Sequence, residues 1–150
     1  MPLDASTLLG LLSTKAAEST EPDALGAVLV DALRQALPQA SWIGIYWLEG
    51  DELVLGPFVG PPTEHVRIPV GSGVCGTAVA ERRDMNVPDV GAIGNYLACN
   101  LYTKSELVVL IRRGDHILGQ IDIDSDVPNG FGEREYADVK TIADALAVLL

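Results

Sequence analysis

Near residue 40 the spacing of apolar side chains changes from three and four to two, and near residue 133 it changes back. A chain with this pattern has to build a sheet between helices. "DASTLLGLLSTKAAE" places Leu8, Leu11 and Leu12 on one helical face behind an Asp4/Ser6 start signal. "EPDALGAVLVDALRQALP" is a cleaner amphipathic helix. Pro22 suits its first turn, Leu25, Val28, Leu29, Ala32, Leu33 and Leu37 form its stripe, and Pro38 stops it. Then "SWIGIYWLE" and "ELVLGPFVG" flank "EGDE" as a hairpin, with "HVRIPV" as a further short strand. "GVCGTAVAERRD" reads as a helix opened by glycines, and "MNVPDV" as a short extended piece ended by Pro88. "ELVVLIRR" and "HILGQIDIDS" around a "GD" turn make a second hairpin. "EREYADVKTIADALAVLL" closes the chain as a helix with Val139, Ile142, Ala143, Leu146 and Leu149 on one side.

The order α-α-β-β-β-α-β-β-β-α predicts an α+β domain. Its central, mostly antiparallel sheet of about six strands carries helices on one face and a loop-covered pocket on the other. One domain is expected over 1–150, with helices over about 4–37, sheet and pocket over about 40–125, and a closing helix over about 133–150. "VGAIGNYLACNLYTKS" has neither period and reads as a long loop, of the kind that carries function in compact domains.

Composition removes whole classes of function. A net charge of −11 leaves no basic surface for phosphate backbones, so nucleic acid is not an expected partner. No apolar run reaches the ~18 residues of a membrane span. The opening residues have no basic n-region and carry Asp4, so they do not read as a signal peptide. A cytoplasmic location is expected, where thiols stay reduced unless they are catalytic or redox-sensing. The two cysteines and two histidines lack zinc-ligand spacing, so no metal and no bound cofactor are expected.

Chemistry is concentrated in a few residues. Cys75 stands in "GSGVCGTAVA" near a helix N-terminus, where backbone N–H groups and the helix dipole favour a thiolate. The alternative is a small buried hydrophobe. Cys99, in "YLACN", lies in the irregular segment with polar neighbours, and its alternative is a loop cysteine with no task. Asp122 and Asp124 in "GQIDIDS" share one strand face, either as the solvent face of an edge strand or as a pair in which like charges keep one carboxyl protonated. The hairpin can bring Glu106 beside them. Trp42 and Tyr46, four apart on a strand, also share a face, with Trp47 opposite. They serve either as core filling or as an aromatic wall for a small ligand.

The segments "SWIGIYWL", "LVLGPFVG", "VRIPVGSGVCGTAVAE", "YLACN", "SEL" and "ILGQIDIDS", covering residues 40 to 125, resemble the GAF-domain free methionine-(R)-sulfoxide reductases. The resemblance implies thiol-dependent reduction of free methionine-R-sulfoxide. By carry-over Cys99 is the nucleophile and is left as a sulfenic acid, which a second thiol condenses to a disulfide that thioredoxin reduces. Glu106, Asp122 and Asp124 match the acids that hold the sulfoxide oxygen and the amino group, and Trp42 and Tyr46 match the aromatic side of the cavity. Sulfoxide oxygen leaves poorly until protonated, which agrees with a carboxyl kept neutral by its neighbours.

The family commonly has a third cysteine ten residues before the position of Cys75. This chain has His65 there. Cys75 is then the expected resolving thiol, with an external thiol or exchanged roles of Cys75 and Cys99 as alternatives. Two other functions compete: a GAF sensor that binds a small ligand without turnover, and a dimerisation module. A homodimer through the terminal apolar helices is compatible with all three.

Overall fold

The structure, a computed structural model, describes residues 4–92 and 102–150. Helices α1 (Ala5–Glu18) and α2 (Pro22–Ala36) come first. Asp4 caps α1, its Oδ1 accepting from the Thr7 N–H at 3.2 Å, which satisfies one donor that a helix start leaves over. Pro22 sits at the start of α2, where its missing N–H removes no helical bond. There follow β1 (Ala40–Glu49), β2 (Glu52–Val59), β3 (Arg67–Pro69), α3 (Gly73–Glu81) and β4 (Met85–Val87), and then a single 3-10 turn at Val90–Ala92. Strands β5 (Ser105–Arg113) and β6 (His116–Ser125) and helix α4 (Glu133–Leu149) complete the described chain.

The six strands form one sheet in the order β3-β2-β1-β6-β5-β4, with every neighbouring pair antiparallel. Both expected hairpins are present, and the pairing of β1 with β6 joins them into one surface. The α+β architecture read from the pattern is borne out. Helices α1, α2 and α4 cover one face, where Leu12, Leu25, Leu29, Leu33, Ile142 and Leu146 are fully buried against inward residues of the central strands.

Helix α3 departs from the expectation of helices on a single face, because it packs on the opposite side with Val74, Cys75, Ala78 and Val79. Its side chains are small and mostly apolar all round, so no polar face commits it to one orientation. Leu11 departs too: it is exposed, while Leu8 and Leu12 are buried. It borders a shallow groove with Val28 and Ala32 of α2, since a single i, i+4 pair is enough to seat α1. No helix among the described residues is long and apolar enough to cross a membrane.

Candidate functional site

Side chains alternate across a strand, and here the alternation separates apolar from reactive groups. Ile43 and Ile45 on β1, Leu107 and Val109 on β5, and Ile121 and Ile123 on β6 face the three-helix layer. Trp42, Tyr46, Glu106, Gln120, Asp122 and Asp124 hold the alternate positions. The cross-strand register sets Asp124 between Trp42 and Glu106, and Asp122 between Gly44 and Val108. The two aspartates are 0 % exposed and Glu106 only 3 %. The reading of Asp122 and Asp124 as the solvent face of an edge strand is therefore overturned. β6 has a strand on each side, and α3 packs against it.

The turn from β3 into α3 is built by glycine. Gly71 and Gly73 take φ of +98° and +63°, a left-handed backbone that side chains disfavour, and they reverse the chain around Ser72. Cys75 falls in the first helical turn, as its position among the glycines predicted. The amide Nε2 of buried Gln120 donates to the Cys75 carbonyl at 3.0 Å and ties the helix start to β6. This anchorage points the thiol at the acids: Cys75 Sγ donates to Glu106 Oε2 at 3.7 Å.

Burial holds the Glu106 carboxyl well above the ordinary carboxylate range, and the charges of Asp122 and Asp124 push the same way. Burial also raises Asp122, partly offset by the neighbouring Glu106 carboxyl and Cys75 thiol. The strand spacing predicts a protonated acid here through repulsion between like charges. The structure adds burial as the larger cause, and it raises Glu106 and Asp122 alike. The four ion pairs among the described residues lie on the surface, and none involves Glu106 or Asp122.

The aromatic side of the site is layered. Trp42 stacks on Phe58 with ring centroids 5.7 Å apart, and lies 6.3 Å from Tyr46. The Trp42 Nε1 donates to Pro61 O at 3.1 Å and the Tyr46 hydroxyl to His65 O at 2.8 Å, so both polar tips are satisfied and pin the segment between β2 and β3. Gly44 makes room for the indole: a Cβ there would stand 2.2 Å from Trp42 Cη2. Gly44→Ala is therefore expected to displace the ring and cost about 1–3 kcal/mol, the usual range for overpacking. Urea denaturation together with Trp fluorescence will register both changes.

Cys75, Glu106 and Asp122 line one narrow, tightly closed crevice together with His65, Ile68 and Ser72. The structure thus brings together Cys75, Glu106 and Asp122, with Asp124, Trp42 and Tyr46 on the same sheet face. Cys99 lies outside the described residues. A larger, open groove lies elsewhere, between Glu21, Asp23, Trp47 and Leu150, and contains none of these groups. Three contributors were not picked out from sequence. Gln120 is two residues before Asp122, so the strand period that paired the aspartates also reaches it. Gly44 stands between Trp42 and Tyr46 on the same face. His65 was noted only as a substitution, and it lines the crevice.

The family profile for the GAF domain matches residues 21–150. Protein YtsP of Bacillus subtilis is 39% identical over 145 residues, covering 95% of this chain and 88% of that protein. The free methionine-R-sulfoxide reductase of Escherichia coli is 39% identical over 118 residues, covering 79% of this chain and 71% of that protein. Among solved structures, fRMsr of Staphylococcus aureus in complex with substrate superposes with a TM-score of 0.89 at 35% identity, covering 100% of this chain and 97% of that one.

Proposed function

The chain belongs to the GAF-domain free methionine-R-sulfoxide reductase family, and from that membership we propose that it reduces free methionine-R-sulfoxide to methionine in the crevice between α3 and β5–β6. The observation that carries the reading is the buried Cys75 thiol 3.7 Å from a Glu106 carboxyl whose proton is held by burial and by two neighbouring acids. Sulfoxide reduction needs both parts, a thiol to take the oxygen equivalent and an acid to protonate an oxygen that otherwise leaves poorly.

In the proposed sequence the Cys99 thiolate attacks the sulfoxide sulfur while Glu106 protonates the oxygen. The oxygen passes to Cys99 as a sulfenic acid, methionine is released, and two electrons have moved from one sulfur to the other. The Cys75 thiol then condenses with the sulfenic acid, forming an S–S bond and expelling water. An external dithiol, with thioredoxin as the expected donor, exchanges with that disulfide and restores both thiols. Asp122 and Asp124 hold the substrate ammonium, and the indole of Trp42 with the Tyr46 ring packs against the S-methyl group. With His65 at the position where the family resemblance implies a further cysteine, resolution falls to Cys75.

The test is NADPH consumption coupled through thioredoxin, with free methionine-R-sulfoxide as substrate. Turnover that disappears in Cys99→Ser supports the proposal. Binding of methionine sulfoxide by the wild type with no NADPH consumed would instead make the chain a ligand sensor.

A further inference from the structure

Three donor atoms of different softness converge in the crevice: the Cys75 sulfur from α3, a Glu106 oxygen from β5 and an Asp122 oxygen from β6, all within 4.8 Å of one another. All three side chains are buried, and among the described residues neither Asp122 oxygen meets a donor in hydrogen-bond geometry, although Asp122 lines the cavity. A buried carboxyl in that condition takes up either a proton or a cation, because buried charges are neutralised, paired or coordinate metal. None of the surface ion pairs supplies one.

The spacing fits a particular class of ion. In tetrahedral zinc, with Zn–S near 2.3 Å and Zn–O near 2.1 Å, the sulfur-to-oxygen edge is about 3.6 Å. The Cys75 Sγ to Glu106 Oε2 separation is 3.7 Å. The other edges, which lie within 4.8 Å, close by at most about 1.4 Å to reach tetrahedral lengths. One thiolate with two carboxylates selects zinc or cadmium over magnesium and calcium, which take oxygen ligands and larger coordination shells. Local spacing does not reveal this set, because the ligands stand 31 and 16 residues apart and meet only through the packing of α3 on the sheet.

We propose that the reduced protein binds one zinc ion, or cadmium in its place, through Cys75, Glu106 and Asp122, with the fourth position open. Binding is independent of the catalytic reading. Its consequence rests on that reading: the ion takes the resolving thiol and the proton-donating carboxyl together, so the metal-bound enzyme neither protonates sulfoxide nor closes the disulfide.

The experiment is a cadmium titration of the reduced Cys99→Ser protein, which keeps Cys75 as its single thiol, followed by the ultraviolet sulfur-to-cadmium charge-transfer band. Saturation at one ion per chain is expected, with zinc displacing cadmium and magnesium leaving the band intact. Glu106→Gln in the same background should weaken binding by more than the roughly 10- to 100-fold that even an outer-shell change costs. That variant keeps the shape of the side chain, and circular dichroism verifies its fold. Zinc added to wild type should also suppress single-turnover methionine release, with recovery on chelation. A missing band in Cys99→Ser, or an affinity unchanged by Glu106→Gln, overturns the site whatever the turnover. A band that responds to Glu106→Gln in a protein without turnover upholds the metal site and removes the reductase reading instead.

Discussion

Glu106→Gln is expected to lower kcat/KM for free methionine-R-sulfoxide by about 10²- to 10⁴-fold, the usual contribution of a positioned general acid, while raising thermal stability at neutral pH. The two effects have one cause. Glu106 is buried, and burial with the charges of Asp122 and Asp124 holds its proton well above the ordinary range. Folding therefore places an acid where its ionised form is disfavoured. Glutamine keeps the size and a hydrogen-bonding head but neither ionises nor transfers a proton.

The pH dependence follows from the same groups. Glu106 and Asp122 bind protons more tightly in the folded chain than at their reference values of 4.5 and 3.8. The stability they contribute is complete below those values and is lost as pH rises through the raised folded ones. Melting temperature measured across that interval should fall with pH in wild type and fall less in Glu106→Gln. A variant that loses stability at neutral pH along with activity would mean that Glu106 is held there as a carboxylate.

The strand period made much of this site readable in advance. The i, i+2 spacing of Asp122 and Asp124 and the i, i+4 spacing of Trp42 and Tyr46 put each pair on one face, and the "GD" turn brought Glu106 alongside. The setting of that face was not readable. Whether β6 is an edge or a central strand depends on β1, whose residues lie some 80 positions earlier in the chain, and no local pattern records that pairing. The side taken by α3 was hidden for another reason. Gly73, Val74, Cys75, Gly76, Ala78 and Val79 have no polar face among them, so helical periodicity does not orient the segment. The contact between Cys75 and Glu106 is a product of both hidden facts. Leu11 shows the converse error, an apolar residue at correct spacing that the packing of α1 leaves exposed.

Cys75→Ser is the second large effect. With the proposed resolving thiol gone, the enzyme should release one equivalent of methionine per chain and stop, retaining a sulfenic acid on Cys99 that dimedone captures. Thioredoxin-coupled turnover should fall by orders of magnitude, while the first turnover proceeds. The serine hydroxyl still reaches toward Glu106 and Asp122, so substrate affinity should change little. A variant that cycles with thioredoxin at the wild-type rate would assign resolution to the external thiol.

The most direct measurement is peptide mapping of the wild type, quenched after reaction with free methionine-R-sulfoxide in the absence of reductant. A covalent link between the peptides carrying Cys75 and Cys99, formed in step with methionine release, is the predicted result. Methionine formed catalytically, with Cys75 recovered as a thiol throughout, would contradict the account.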